Sequence, residues 1–364
     1  MKQNNQNQII YFFPYPVIGG VEKNFTMISN YLSIFFRKLY LITTFKINLK
    51  INNKIQTIEI NKFWSLLSRR LLFIICAIKL FFISAKIKNS IIFSFQGNFY
   101  AIVISIILKR KIIIRSNLSP DGWTSSTFKM KIFKFLLSKA DLVIVNSSNF
   151  QKQMKKKFKI NSIKIFNPVN EEELKKFKIY KKKINFFEHK TINLINVGRL
   201  VLQKNQIEIL HALKRLKKSV KNFRLLIIGD GPEKKNLKDF INKNNLNKCV
   251  KIIFVKNPYK YISMSDVFIL SSKHEGLPNV LLEAAYFNKF IISSNCQTGP
   301  SEIIKDYKYG ELYKKGSDKD LFLKIKKLNK KKLNLNKKEF FLNLTKFNSK
   351  KNLEMYLKAV KRLI

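Results

Sequence analysis

The feature that most constrains the fold is a repeated alternation of short apolar runs with amphipathic stretches. Runs such as 39–43, 142–145 and 267–270 are four or five residues long, which is typical of buried strands rather than helices. Polar, Gly or Pro residues follow, and then a stretch with helical periodicity. Strands that alternate with helices in this way form parallel, doubly wound sheets, so the chain is predicted to be an α/β protein.

The length of the chain indicates two such sheets. Its 364 residues exceed what one hydrophobic core normally organises, and a hydrophobic content of 46% suffices for two cores. Residues 170–190 are charged and irregular, and we interpret them as a linker. This interpretation places a first domain in residues 1–170 and a second in residues 190–335, followed by a Lys-rich helical segment in residues 336–364.

The stretch with the most chemical content covers residues 271–304. The strand before it, 267–270, leads into a polar loop that closes with Gly276. Pro278 then stands where a helix would begin, because the N–H that proline lacks would have no helical partner there. The N terminus of a helix attracts anions through its backbone N–H groups and its dipole, so this loop is a candidate binding site.

Two carboxylates mark this stretch. Glu275 lies in the loop, and Glu283 lies on the helix, four residues after Asn279 and therefore on the same helix face. Two glutamates eight residues apart also occur on ordinary solvated helices, so the spacing alone decides nothing. When the two glutamates are considered together with the surrounding strand, loop and helix, they do indicate a site. Its candidate residues are Glu275, Gly276, Asn279, Val280 and Glu283.

A second motif follows the apolar strand 192–197. It consists of Gly198-Arg199-Leu200 and Gln203-Lys204-Asn205. Of the 71 basic residues nine are arginine and 62 are lysine. An arginine placed directly after a predicted strand is therefore informative, whereas one lysine in so Lys-rich a chain means little by itself.

A glycine pair follows the first predicted strand. Gly19 and Gly20 lie between the strand at 9–13 and a helix predicted over 21–35, which begins near Glu22. Two glycines at this place let a backbone or a ligand approach closely. An ordinary turn explains the same pair equally well.

Together these motifs resemble the retaining glycosyltransferases of the GT-B fold, family 4, or glycosyl transferases group 1. The resemblance covers nearly the whole chain, but its strong motifs lie within residues 192–304. Beside the two motifs already described, it rests on Gly276-Leu277-Pro278 and Gly299-Pro300-Ser301-Glu302.

The resemblance implies two Rossmann-like domains facing a cleft, with the last helix returning to the first domain. It implies a nucleotide-sugar donor, with UDP-hexose or UDP-N-acetylhexosamine expected. The implied acceptor is a glycan or lipid-linked saccharide, in the synthesis of surface polysaccharide, lipopolysaccharide or another glycoconjugate. No metal or other cofactor is implied.

The resemblance also assigns roles to residues. Arg199 and Lys204 would hold the donor diphosphate, Glu275 would face the donor sugar, and Glu283 would hold the ribose. The loop with Gly19 and Gly20 would lie over the cleft. The charge requirement is physical: a leaving diphosphate gains negative charge, and each cation about 4 Å away contributes roughly 4 kcal/mol at an effective dielectric near 20, before desolvation.

The chain departs from the family at one point. Many members carry a histidine after the strand that corresponds to 112–115, close to the reacting carbon, whereas this chain has histidines only at 189, 211 and 274. Asn117, Ser119 and Asp121 are the candidates for acceptor contact in that loop. A structural turn is an equally good interpretation.

The net charge of +49 has two explanations. Lys, Asn, Ile and Phe have A/T-rich codons, so a biased genome would produce this composition. Alternatively, the charge attracts the chain to an anionic membrane surface. The apolar segment 64–87 fits either a core helix with a basic rim or a membrane-surface helix, and Lys79 interrupts it too early for a membrane span.

Other classes of protein are disfavoured. Arginine is scarce and no nucleic-acid-binding signature occurs, so specific nucleic-acid recognition is not expected. The three cysteines lack metal or redox spacing, and the polar N terminus does not match a signal peptide, so we expect a cytoplasmic protein, with peripheral contact at the inner face of the membrane as an option. Asp318-Lys319-Asp320 is literally a DxD sequence, but helix capping explains it better than a metal site.

Two further functions compete. A nucleotide-sugar 2-epimerase shares the fold but needs acid and base side chains at the sugar, and the first domain offers no histidine or paired carboxylate for them. A non-catalytic basic binding protein would not need Arg199, Lys204, Glu275 and Glu283 together.

Overall fold

A computed structural model gives the architecture. It describes residues 8–17, 19–44, 51–60, 64, 67–117, 126–178, 184–217, 222–296, 298–306, 310–329, 333 and 345–363. The chain divides into two compact units. Unit 1 comprises residues 1–168 and 347–364, and unit 2 comprises residues 169–346.

Unit 1 is built on a parallel sheet. Its described strands lie in the order β3-β2-β1-β4-β5-β6-β7, and each neighbouring pair is parallel. The central strands are buried on both faces, which explains why their sequences are mostly apolar. The bounds are β1 Gln8–Phe12, β2 Leu39–Thr43, β3 Ile55–Glu59, β4 Ser90–Ser94, β5 Ile112–Ser116, β6 Leu142–Val145 and β7 Ile163–Lys164.

Helices cover both faces of this sheet. They are α1 Gly20–Leu32, α2 Arg69–Lys86, α3 Asn98–Ile107, α4 Thr127–Leu137, α5 Ser148–Gln153 and α13 Ser349–Lys361. One core forms between the sheet and α2, α3, α4 and α5. The other forms between the sheet and the pair α1 and α13, so the last helix completes the second face of unit 1.

A buried arginine ties α13 to the sheet. Arg115, on β5, is 1% exposed. Its Nε donates to the hydroxyl of Tyr356 on α13 at 2.8 Å, and its Nη2 donates to Asn167 Oδ1 at 2.7 Å. Its Nη1 donates to Asn117 Oδ1. The guanidinium thus joins a strand, the end of the first part of unit 1 and the last helix.

Unit 2 repeats the same topology. Its described strands are parallel and lie in the order β10-β9-β8-β11-β12-β13. They are β8 Ile192–Val197, β9 Phe223–Ile228, β10 Val250–Ile253, β11 Val267–Leu270, β12 Phe290–Ser294 and β13 Gly310–Tyr313. The helices are α6 Glu171–Lys175, α7 Gln206–Lys217, α8 Lys234–Lys243, α9 Tyr259–Met264, α10 Asn279–Tyr286, α11 Pro300–Asp306 and α12 Asp318–Lys326.

Most predicted elements lie within a few residues of the observed ones, and four differences stand out. The helix predicted over 64–87 begins at Arg69. The turn Gly229-Asp230-Gly231-Pro232 predicts a helix that starts at Pro232, and the observed helix begins at Lys234. The strand β13 was not predicted. The helix predicted over 337–363 is observed as α13, after a short 3₁₀ turn at Thr345–Phe347, and residues 337–344 lie outside the described residues.

The Asp318-Lys319-Asp320 sequence begins α12. The Ser317 hydroxyl caps this helix by accepting from the Asp320 N–H at 3.2 Å, and Asp318 pairs with Arg215 Nε at 2.6 Å. In the part of the chain that the structure describes, no cluster of three or more His, Cys, Asp or Glu could hold a metal ion. The described helices also include none that is long and apolar enough to cross a membrane.

Candidate active site

The candidate residues of unit 2 gather where the strand order reverses. Strands β8 and β11 are neighbours, and the chain leaves them toward opposite edges of the sheet, which opens a crevice beyond their carboxyl ends. The loop 198–205 follows β8, and the loop 271–278 follows β11. Both predicted motifs therefore lie at the position where sheets of this topology bind ligands.

Hydrogen bonds join these two loops. The Lys273 N–H donates to the Gln203 carbonyl, the Gln203 amide donates to the His274 carbonyl, and the Ser271 hydroxyl donates to the Lys204 carbonyl, each at 2.8 Å. These hydrogen bonds fix the two loops relative to each other and so position the side chains that they carry.

The segment after β12 supports the 271–278 loop from its other side. The Ser272 carbonyl accepts from the Ser294 hydroxyl at 2.7 Å and from the Cys296 thiol at 3.0 Å. The Thr298 hydroxyl donates to the Glu275 carbonyl. Burial raises the pKa of the Cys296 thiol to about 11, so this thiol stays protonated near neutral pH and serves as a hydrogen-bond donor.

Gly299 makes the closest backbone approach at the site. Its φ of +56° lies in the left-handed region, and a Cβ there would stand 1.7 Å from the Gly276 carbonyl oxygen. Any side chain would have to push the 271–278 loop away. This contact gives a physical reason for glycine in the Gly299-Pro300 motif.

Lys204 and Glu275 form an ion pair. The Lys204 Nζ donates to Glu275 Oε1 at 2.5 Å, and the two side chains are 18% and 9% exposed. The pair closes the gap between the ends of β8 and β11. The family resemblance predicts that Lys204 contacts the diphosphate of the donor and Glu275 its sugar. In the structure the two side chains contact each other directly.

Arg199 has a different environment. Its side chain is exposed, and among the described residues it has no hydrogen-bond or ion-pair partner. Its backbone carbonyl accepts from the Gln206 amide at 3.0 Å, which fixes the backbone of the loop. The guanidinium is therefore accessible to an anion from solvent.

Glu283 is buried on α10, one turn after Asn279. Its Oε1 accepts from the Tyr259 hydroxyl at 3.2 Å. Burial raises the pKa of Tyr259 far above its usual range, and the charges of Glu283 and Glu173 raise it further. Tyr259 is consequently a neutral donor that orients the Glu283 carboxylate.

The remaining unit 2 candidates line the start of α10. Gly276 is buried, whereas Asn279 and Val280 are half-buried. Pro278 occupies the N-cap position, and its side chain makes no capping hydrogen bond. The positive end of the helix dipole thus faces the same loop as Glu275.

Gly19 and Gly20 belong to unit 1, where they join β1 to α1. Gly19 has extended backbone, and a Cβ there would meet only an ordinary contact, 3.7 Å from the Val17 carbonyl oxygen. Packing therefore does not require glycine at position 19. Burial raises the pKa of the nearby Glu22 carboxyl, and a hydrogen bond from the Gly19 backbone opposes that rise.

Asn117, a candidate for acceptor contact, is engaged within unit 1. Its Oδ1 accepts from Arg115, and its Nδ2 donates to the Phe95 carbonyl at 2.9 Å. These contacts favour the structural interpretation of Asn117. Ser119 and Asp121, the other two candidates, lie outside the described residues.

Sequence reasoning missed three contributors to the site. Gln203 was noted only as part of a motif, yet its side chain joins the two loops. Thr298 supports Glu275, and Tyr259 orients Glu283. The presence of Thr298 directly before the Gly299-Pro300 motif was the one signal that could have pointed to it.

A comparison with protein families covers this part of the chain. Residues 176–332 match the model of the family described as glycosyl transferases group 1. Over this segment, the chain is similar to the group 1 glycosyltransferases. The matched segment contains Arg199, Lys204, Glu275 and Glu283.

Curated glycosyltransferases match part of the chain. The chain is 36% identical over 179 residues to a glycosyltransferase of Methanocaldococcus jannaschii, covering 47% of this chain and 44% of the relative. It is 30% identical over 207 residues to the amylovoran biosynthesis glycosyltransferase AmsD of Erwinia amylovora, covering 56% of each. It is 28% identical over 227 residues to a Campylobacter jejuni N-acetylgalactosamine-N,N'-diacetylbacillosaminyl-diphospho-undecaprenol 4-alpha-N-acetylgalactosaminyltransferase, covering 60% of each. The chain thus spans about half the length of these relatives.

Solved structures match over nearly the whole chain. Sucrose-phosphate synthase from Thermosynechococcus elongatus has a TM-score of 0.79 at 15% identity, covering 98% of this chain and 99% of that one. Anabaena HepE in complex with UDP and glucose has a TM-score of 0.75 at 14% identity, with the same coverage. At such identities the likeness establishes the fold, and it confirms the prediction of a GT-B α/β fold with parallel sheets.

Proposed function

We propose that the chain is a glycosyltransferase of polysaccharide biosynthesis, which moves a sugar from a nucleoside diphosphate donor to a saccharide acceptor. The observation that carries this proposal is the Lys204–Glu275 pair at the point where the strand order of unit 2 reverses. In a nucleotide sugar the diphosphate and the sugar meet at one glycosidic oxygen. A cation and a carboxylate in direct contact suit a ligand that presents an anion and a hydroxylated ring side by side.

The diphosphate would be held by three features. Arg199 offers an accessible planar guanidinium. Lys204 offers a point charge held in place by Glu275, and the N terminus of α10 offers its dipole. As the bond to the sugar breaks, negative charge grows on the departing phosphate, and cations that are already in position stabilise that charge without reorganising.

We further propose that the sugar is transferred with retention at the anomeric carbon. The bond between that carbon and the phosphate oxygen breaks, and the acceptor oxygen bonds to the same face. The acceptor proton passes to the departing phosphate oxygen, so the products are a glycoside and a nucleoside diphosphate. Glu275 would accept from sugar hydroxyls and support positive charge at the anomeric carbon, and no protein nucleophile is required.

Glu283 would accept from the ribose hydroxyls. Its burial and its Tyr259 partner fix the direction of the carboxylate, and a charged acceptor binds hydroxyls more strongly than a neutral one. UDP is the proposed nucleotide. Support comes from HepE, a protein of the same fold described in complex with UDP and glucose.

The proposed acceptor is a saccharide on a lipid carrier, handled at the inner face of the cytoplasmic membrane. Support comes from the Campylobacter jejuni relative, whose name gives a diphospho-undecaprenol-linked sugar as its substrate.

The test separates the two glutamates by binding and by rate. Calorimetry with UDP and GDP is compared for wild type, Glu283→Gln and Glu275→Gln, and turnover of UDP-sugars is measured for the same proteins. Glu283→Gln should weaken UDP binding by about tenfold to a hundredfold, the effect of a charge-assisted hydrogen bond. Glu275→Gln should weaken UDP binding less than Glu283→Gln does, because it only frees Lys204 to move, and it should slow transfer about a hundredfold.

A matched control is Glu311→Gln, which removes the same charge on the edge strand β13, where Glu311 pairs with Lys324 at the surface. It should change neither quantity. Equal loss of UDP affinity in both site variants would overturn the division of roles. Epimerised donor without transfer, or no binding of any nucleotide sugar, would overturn the proposed function.

A further inference from the structure

One side of unit 1 exposes a large apolar surface. Helices α2 and α3 touch through the rings of Phe73 and Tyr100. Helices α3 and α4 touch through stacked Phe99 and Phe133, whose ring centroids are 3.8 Å apart. Outward from these three helices point exposed apolar side chains, which we call the apolar face: Ile78, Phe82, Ile107, Phe128, Ile132 and Phe135.

The core of unit 1 does not need these side chains. Helix α2 buries its opposite side, with Leu72, Cys76 and Leu80 in the core. On α4 the buried residue is Leu137, whereas Phe128 and Phe135 are 70% and 60% exposed. These exposed side chains therefore lie on three neighbouring helices, and large exposed apolar surfaces of soluble proteins mark interaction sites.

A groove of ≈ 390 Å³ runs between the same helices. Its lining is aliphatic and aromatic, and includes Ile74, Ile78, Phe81, Tyr100, Val103 and Leu136. A groove with such walls offers nothing to a sugar or a phosphate, and it favours a hydrocarbon chain.

Positive charge frames the apolar face. Residues 61–140 contain fourteen Lys or Arg and one acidic residue, Asp121. On α4, exposed Lys129, Lys131 and Lys134 are interleaved with the apolar side chains. An apolar centre with a basic rim matches a bilayer surface, which supplies hydrocarbon below and anionic headgroups around it. A protein partner would need an apolar patch ringed by acids, whereas any anionic leaflet meets both conditions.

We propose that the apolar face of α2, α3 and α4 is a membrane-binding surface for an anionic leaflet. The apolar side chains enter the boundary between headgroups and acyl chains, the groove takes hydrocarbon, and the lysines of α4 contact the headgroups. Binding to the membrane does not depend on the proposed transfer reaction, although it would bring the chain to a lipid-linked acceptor.

The test is sedimentation with vesicles in the absence of nucleotide and acceptor. Wild type should bind vesicles of phosphatidylcholine with about one-third phosphatidylglycerol at least tenfold more tightly than pure phosphatidylcholine, and less tightly as salt rises above about 0.1 M. The double variant Phe128→Ser/Phe135→Ser should lose roughly tenfold or more in affinity. Since both side chains are mostly exposed, this variant should fold normally.

Charge is tested with a triple variant and its matched control. Lys129→Gln/Lys131→Gln/Lys134→Gln on α4 should lose roughly a hundredfold, because each basic side chain near the surface contributes about fivefold. Lys235→Gln/Lys238→Gln/Lys243→Gln removes the same charge from exposed positions of α8 in unit 2 and should stay close to wild type. Phe254→Ser, at an exposed position of unit 2, is the apolar control.

Three outcomes would overturn the proposal. Equal losses in the two lysine triples would mean that the overall charge, not this face, binds lipid. Equal binding to neutral and anionic vesicles, or binding to neither, would remove the role of the basic rim. Concentration-dependent association in sedimentation velocity that Phe128→Ser/Phe135→Ser abolishes, without vesicle binding, would assign the face to a second copy of the chain. UDP calorimetry on the same variants reports the proposed function separately.

Discussion

The Lys204–Glu275 pair makes a quantitative prediction for stability. At 2.5 Å and an effective dielectric near 20, the gross attraction is about 7 kcal/mol before desolvation. Both side chains are largely buried, so removing one partner leaves an uncompensated charge and should cost about 3–5 kcal/mol. For a unit of this size, such a loss lowers the Tm by roughly 6–20 °C.

The perturbation is a double-mutant cycle of Lys204→Met, Glu275→Gln and both together. Methionine keeps the apolar stem that lies against Gly198, and glutamine keeps the shape of glutamate. The double variant should be more stable than the sum of the single losses predicts, by about 2 kcal/mol or more, because neither charge is left alone. Unfolding of unit 2 is followed by calorimetry and circular dichroism, while tryptophan fluorescence follows unit 1, since both tryptophans fall at positions 64 and 123.

A cycle on an exposed pair is the control. Arg215 and Asp318 lie 2.6 Å apart with side chains 54% and 29% exposed, and their coupling should not exceed about 1 kcal/mol. If the Lys204 and Glu275 losses add within about 0.5 kcal/mol, the two residues do not form the buried pair. Glu275 would then not hold Lys204 in position.

Three further predictions concern stability. Gly299→Ala should destabilise unit 2 by more than about 1–3 kcal/mol, because its Cβ would clash with the loop carbonyl 1.7 Å away; equal thermal losses in Gly316→Ala, which has φ +81° and open space, would contradict this. Tyr356→Phe should cost about 1–3 kcal/mol in urea unfolding by leaving the Arg115 Nε unpaired, and an unchanged midpoint would refute it. Glu22→Gln should gain stability over wild type as the pH rises above 4.5, because burial raises the pKa of Glu22 in the folded state and favours its protonated form; a Tm difference that is constant with pH would exclude that origin.

Short buried strands were the part of the fold most predictable from sequence. The runs 142–145 and 267–270 coincide with β6 and β11, because strands buried on both faces tend to be apolar throughout. The strand β13 escaped prediction, since its sequence Gly-Glu-Leu-Tyr is polar at its start and half-buried over its first three residues. Pairing with β12, not local pattern, makes it a strand.

The site was predictable as a set of residues but not as an arrangement. Arg199, Lys204, Glu275 and Glu283 could be selected because the family resemblance names them and each lies in the loop or helix that follows a predicted strand. That Lys204 touches Glu275, 71 residues later, depends on which strands become neighbours, and no local pattern encodes that. The apolar segment 64–87 is a second example. Its helix is apolar on several sides, so the sequence does not show which side packs against the core.

Unit 1 consists of two separate segments of the chain, and this affects how the protein folds during translation. Unit 2 is one continuous stretch and has all its residues once synthesis passes Lys346, whereas unit 1 still waits for residues 347–363. Until Tyr356 has been synthesised, the Arg115 guanidinium lacks one of its hydrogen-bond partners, and the core that contains α1 lacks the last helix. During translation, therefore, the segment made second can reach its native state first. The N-terminal part has strands β1 to β7 but keeps an exposed apolar side until the last helix docks, and chaperones protect such exposed surfaces.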